Sequence, residues 1–285
     1  MRKTFALFAG LFWLAPVAWA TDDPRPSVFH WAHQDAGLGG FSGIEVSDDG
    51  ARFTAISDSG IWVRGTFSRS DAGTIDRIDL TAQGPLNDTD GTPATGFRAD
   101  AEGLAIRDDG RIYVSFEGEA RVWTYATLTG EAAWLPRHPD FRDMQVNSSL
   151  EALAIGPDGT LYTIPERSGD FDRPFSVYRY SGGKWSIPFS LPRSDEYLVS
   201  GADIGPDGRL YILERKVGLL GFQSRLRRFD LDGSGGVELW SGSHDNLEGV
   251  AIWRDARGRL VASMISDDNF LPIQRTLIVE LVLPY

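Results

Sequence analysis

One pattern of about sixteen residues recurs along the chain at a nearly fixed interval, and that periodicity limits the fold more than any single motif. It reads "AEGLAIRDDGRIYVSFE" from Ala101, "LEALAIGPDGTLYTIPE" from Leu150, "SGADIGPDGRLYILER" from Ser200 and "LEGVAIWRDARGRLVASMISD" from Leu247. The acid or its substitute falls at positions 102, 151, 200 and 248, giving intervals of 49, 49 and 48 residues. A weaker copy, "SGIEVSDDGARFTAISD", runs from Ser42 to Asp58. Its distance to the next copy is longer because the polar stretch Thr81 to Gly96 intervenes, which reads as an inserted loop.

Within each copy the apolar residues alternate, as in Leu104 and Ile106, then Ile112, Val114 and Phe116. Asp109-Gly110 supplies turn chemistry between them, so each copy reads as strand, turn, strand. Further strands follow at Val122 to Tyr125, Ala132 to Leu135, Ser176 to Tyr180 and Lys184 to Phe189. Four short strands every 40 to 50 residues describe an all-β fold, a β-propeller of four-stranded blades. Five copies favour five blades, with six as the alternative. The last copy has three strands, at Leu247 to Ile252, Arg259 to Met264 and Thr276 to Leu281. The isolated N-terminal segment "SVFHWA", Ser27 to Ala32, would supply the fourth, close the ring and remove the open edge.

The beginning of the chain reads differently. Arg2 and Lys3 precede an apolar run from Phe5 to Val17, and Ala18-Trp19-Ala20 gives a small-x-small cleavage pattern. Residues 1–20 therefore read as a secretory signal peptide, and 21–285 as a single domain that is periplasmic or secreted. The later sequence holds no apolar run long enough to span a bilayer, so no membrane association is expected after cleavage. There is no cysteine, so the fold must rest on its core without disulfides. Without Arg2 and Lys3 the chain has 26 Lys and Arg against 40 Asp and Glu, a net charge of −14. Such a surface excludes nucleic acid as a partner, because phosphate backbones are bound by clustered Lys and Arg. A monomer acting on a small molecule is the expected form.

First strands of propeller blades line the central channel, so residues where they begin gather around the axis. Glu102 and Glu117 lie symmetrically about the Asp109-Gly110 turn and reach the same face. Glu151 and Glu166 flank Asp158-Gly159 likewise, and Glu248 with Asp267 flanks Arg257-Gly258. Asp58 and Glu214 are placed at the second-strand ends of the copies that begin with Ser42 and Ser200. The sequence thus predicts an acidic ring at one mouth of the channel, with Asn147 and Asn246 beside it. Gathered carboxylates raise one another's pKa unless a cation neutralises them. Calcium, which accepts six to eight oxygens in flexible geometry, suits such a ring better than zinc does. It would be held by Glu102, Glu151 and Glu248 with help from Asn147, Asn246 and Asp267, and with Asp58, Glu117 and Glu166 as further candidate ligands. Arg167 and Arg215 stand next to Glu166 and Glu214, where they would either neutralise those acids or grip an anionic substrate. His244, in "SHDNLEG", is a candidate general acid or base. There is no G-x-S-x-G elbow, and "DLDGSGG" from Asp230 lacks the later glutamate of a calcium loop and reads as a turn.

The combination "DAEGLA", "SFEGEARV", "SSLEALA", "PERSG", "HDNLEGVAIWRD" and "ISDDNF" resembles the phytase-like domain family, often described as having esterase-like activity. The similarity runs from about Phe41 to Leu281. It implies a propeller that hydrolyses esters, of the phosphatase or carboxylesterase kind. The more distant β-propeller phytases use channel-bound calcium to hold phosphate, but they carry Lys and Arg clusters that this chain lacks. The expectation is therefore an exported, metal-dependent hydrolase of phosphoric monoesters, carboxylic esters or lactones. A non-catalytic propeller that binds a small ligand or a protein is the alternative.

Overall fold

The computed structural model describes residues 25–33, 37–219 and 221–284; the expected signal peptide lies outside them. Strand β1 (Ser27–His30) comes first. Blade 1 follows, with β2 (Phe41–Val46), β3 (Arg52–Ser57), β4 (Ile61–Arg69) and β5 (Ile75–Pro85). Blade 2 holds β6 (Ala101–Ile106), β7 (Ile112–Phe116), β8 (Arg121–Tyr125) and β9 (Ala132–Trp134). Blade 3 holds β10 (Leu150–Ile155), β11 (Leu161–Pro165), β12 (Phe175–Ser181) and β13 (Lys184–Leu191). Blade 4 holds β14 (Leu198–Ile204), β15 (Leu210–Gly218), β16 (Gly221–Phe229) and β17 (Val237–Gly242). Blade 5 holds β18 (Asn246–Arg254), β19 (Leu260–Asp267) and β20 (Leu277–Val282). These make five four-stranded antiparallel sheets, a five-bladed β-propeller.

The N-terminal strand closes the ring as the incomplete last copy requires. β1 pairs antiparallel with β20, Ser27 opposite Glu280 and His30 opposite Leu277, and so becomes the outermost strand of blade 5. The insertion after the first copy is only partly a loop. β5 extends through Thr81 to Pro85, paired with β4 up to Ile61, because the long β4 offers it a ladder. Asp230 to Gly236 forms a turn between β16 and β17, as expected.

Among the described residues five buried apolar clusters account for cohesion, and each joins two adjacent blades. Ile56 and Trp62 of blade 1 pack with Phe116 and Trp123 of blade 2. Ile164 and Phe175 of blade 3 pack with Ile212 and Phe229 of blade 4. Phe41, Phe53 and Trp31 meet Ile265 and Ile278 where the ring closes. Each sheet is covered on both faces by its neighbours, which is why the second strands read as continuous apolar runs such as "LYIL".

Every blade carries the same irregularity in its first hairpin. The pairing slips between Phe41 and Gly43, Ala101 and Leu104, Leu150 and Ala152, Val199 and Gly201, and Leu247 and Gly249. A bulge adds an unpaired residue and re-aims its side chain. The residues so placed are Ser42, Glu102, Glu151, Ser200 and Glu248. The glycine that follows the acid in blade 2 has a packing reason. A Cβ on Gly103 would stand 2.7 Å from the Leu153 backbone nitrogen of blade 3, so the innermost strands approach too closely for a side chain.

Candidate active site: an acidic cavity at the channel mouth

The bulges and second-strand ends meet at one end of the channel around a cavity of about 290 Å³. It is lined by Ser42, Asp58, Asp100, Glu102, Glu117, Asn147, Glu151, Glu166, Arg215, Glu248 and Asp267. Eight carboxylates thus face one arginine. Towards the channel waist the lining changes to Gly43, Gly103, Gly201 and Gly249 with Leu104, Leu153 and Val250, and little space remains there.

Among the described residues, two sets of carboxylates come close enough to share a cation. In each, oxygens of three residues lie within 4.8 Å of one another: Glu102, Glu151 and Glu248, all buried, and Asp100, Glu102 and Glu117, which is more open. Glu102 belongs to both. Burial pushes Glu102 well above the ordinary carboxylate range, and Glu151, Glu248 and Glu117 push it further. Glu151 is raised in the same way, with Arg215 opposing. Burial pushes Glu248 up to about 8, again against Arg215, and Glu117 up to about 7, helped by Asp100 and Glu166. Asp58 is raised to about 6 by burial and by Asp267. Burial also raises Asp100, although the Gly118 amide donates to it, and Asp267, although the Asn269 amide donates to it.

Arg215 occupies the place that an acid holds in the other blades. The second-strand positions facing the cavity are Asp58, Glu117, Glu166, Arg215 and Asp267; the expectation that Glu214 joins them is corrected. Glu214 pairs with Val199 one step along the ladder, so its side chain turns to the other face of the sheet. There it is fully buried and accepts hydrogen bonds from Arg227 Nε and Nη2 at 2.6 Å each and from Arg225 Nε at 2.7 Å. The Arg215 guanidinium instead lies 3.1 Å from Glu248, 3.5 Å from Glu166 and 3.6 Å from Glu151. Those acids raise its pKa although burial opposes them.

The other expected residues divide. Asn147 lines the mouth in a left-handed conformation, φ 62°. Asn246 supports the wall rather than forming it. Its side-chain nitrogen donates to Glu248 at 2.6 Å and to Asp267 at 3.2 Å, tying the first-strand acid of blade 5 to the second-strand one. Arg167 is half exposed and pairs with Glu166 at 3.2 Å. His244 does not line the cavity. It packs against Trp240, centroid to centroid 5.4 Å, and burial lowers its pKa. Sequence reasoning missed Asp100, although "DAEGLA" contains it. An aspartate two positions before the glutamate was the available signal, since residues two apart on a strand share a face.

The donor set suits a hard cation, since eight of the eleven lining residues are carboxylates. Among solved structures, an α-L-arabinofuranosidase from Podospora anserina superposes with a TM-score of 0.53 at 14% identity, covering 88% of this chain and 93% of that one. An endo-arabinase from Bacteroides thetaiotaomicron gives 0.52 at 12%, covering 88% and 95%. The PQQ-bound aldose sugar dehydrogenase from Streptomyces coelicolor gives 0.51 at 15%, covering 91% and 99%. At such identities these likenesses show the fold alone. No curated protein sequence matches the chain. The sequence model of the phytase-like family, described as esterase-like activity of phytase, matches residues 36–270, and the chain belongs to that family.

Proposed function

We propose that this protein is an exported, calcium-dependent hydrolase acting on phosphoric monoesters, carboxylic esters or lactones. The observation that carries the reading is the pair of carboxylate triads sharing Glu102 in a polar cavity open to solvent. Asp100, Glu102 and Glu117 would hold the cation on the open side. Arg215 already supplies positive charge to Glu151, Glu166 and Glu248 on the other. A bound divalent cation supplies Lewis acidity, polarising a substrate oxygen and lowering the pKa of water. Arg215 fixes the inner acids and offers its remaining N–H groups to an oxyanion. Asp58 lines the cavity but belongs to neither triad, so it is free to take a proton from attacking water. His244, packed on Trp240, is assigned no chemical step.

Chromogenic phosphate, acetate and lactone substrates, each assayed with calcium and with chelator, test this reading. Hydrolysis of at least one class that chelator abolishes and calcium restores is expected. If calorimetry shows calcium bound and none of the three is cleaved, the propeller is a ligand-binding protein instead.

A further inference from the structure

The large apolar side chains left exposed are not scattered over the molecule. Among the described residues there are thirteen. Five sit singly on the outermost strands, Val28, Leu80, Trp134, Ile187 and Val237, one to each blade. The other eight all belong to the connections, or to the end of β15, on the face where the acidic cavity opens. The turns of the opposite face, such as Asp109-Gly110 and Asp158-Gly159, expose none.

These eight are close chain neighbours of the cavity wall. Phe97, 68% exposed, precedes Asp100 by three residues, and its backbone packs on Gly118 beside Glu117. Val146 precedes Asn147. Phe171, 62% exposed, is on the connection that follows Glu166, with Arg193 stacked on its ring at 4.8 Å. Leu219, wholly exposed, crowns the hairpin that leaves Arg215, and Ile273, 87% exposed, stands in the loop after Asp267. Phe270 is held in a left-handed conformation, φ 50°, with its amide donating to Asp268 at 3.1 Å. Its ring lies against Gly39 and Gly40, next to Asp58. A bulky residue keeps such a φ only where its surroundings impose it.

Four of the five blades therefore fringe a strongly polar cavity with apolar groups. Resting on the hydrolase reading above, we infer that the substrate is amphiphilic: an ester whose reacting end enters the acidic cavity and whose apolar chain or ring lies across this fringe. A polyanion is the wrong shape of charge for it. A membrane surface is disfavoured by the net charge of −12, since anionic headgroups would be repelled.

The test uses p-nitrophenyl esters of two-, four- and eight-carbon acids with calcium present, together with calorimetric binding of alkylphosphonates of matching length. In the parent protein kcat/KM and affinity should both rise with chain length, by up to about fourfold per methylene. That gain should fall towards unity in Phe97→Ser/Phe171→Ser/Phe270→Asn, and should shrink in Leu219→Ser/Ile273→Ser, whose side chains stand clear of the fold. Length-independent affinity in the parent, or a gain that survives both variants, overturns the inference. If the variants change only the sedimentation coefficient, the fringe belongs to self-association and the inference also falls. Length-dependent phosphonate binding without hydrolysis of any ester would uphold the fringe and overturn catalysis.

Discussion

Single side chains decide whether the cavity can work. Glu102 is the one carboxylate common to both triads, so Glu102→Gln should weaken calcium binding more than Glu166→Gln, at least tenfold by calorimetry. Asp58→Asn is expected to lower kcat by roughly a hundredfold or more, the range for a lost proton acceptor, while calcium affinity changes little. His244→Ala should leave turnover nearly intact; a large loss would return that residue to the chemistry. The raised carboxylates also set a pH dependence. Asp58, Glu117 and Glu248, lifted to about 6, 7 and 8, bind protons more tightly folded than unfolded. Their stabilising contribution is present at low pH and lost as pH rises through those values. Cation-free protein should therefore melt at a lower temperature at pH 8.5 than at pH 5.5, and added calcium should restore the loss at pH 8.5. A flat melting profile without calcium would refute the electrostatic account. At this scale the sequence showed which acids recur, because repetition put Glu102, Glu151 and Glu248 in one column. It did not show direction: matching residue type at the fourth blade selected Glu214, whereas backbone register selects its neighbour Arg215.

At the scale of the element, the first hairpin of each blade does two jobs with one bulge. It aims Glu102, Glu151 and Glu248 inward in blades 2, 3 and 5, and in all five it sets the innermost strands close together, which glycine permits in blades 1, 2, 4 and 5 and Ala152 in blade 3. Gly103→Ala puts a methyl within 2.6 Å of Ser115 Oγ as well as against Leu153. The expected cost is about 1–3 kcal/mol in urea unfolding, with weakened calcium binding because Glu102 moves with the strand. The alternation of two made these hairpins legible from sequence, and the turn residues fixed their length. The bulge left no comparable mark, since one inserted residue shifts the pattern without changing its composition. Asp100 was overlooked although it stands two residues before Glu102, where alternation places both on one face.

For the whole molecule, the ring holds because every blade interface is a separate apolar core and the fifth blade is completed from the far end of the chain. Removing residues 27–30 exposes the edge of β20 and uncovers Ile278 and Val279. The truncated protein should lose cooperativity in thermal unfolding or aggregate; an unchanged melting curve would show that β1 is dispensable. Blade number, strand order and closure were all readable in advance, because intervals of 49, 49 and 48 residues leave few other architectures. The same closure has a mechanical side. β1 and β20 run antiparallel, with Ser27 beside Glu280, so the chain leaves both strands at the same end of their ladder. A pulling force on the two ends would load its hydrogen bonds one after another, as in a zip, rather than all together in shear. An optical-tweezers trace should show an early, low-force opening of that seam before any other blade yields, marking the place where the ring is strong against heat but weak against tension.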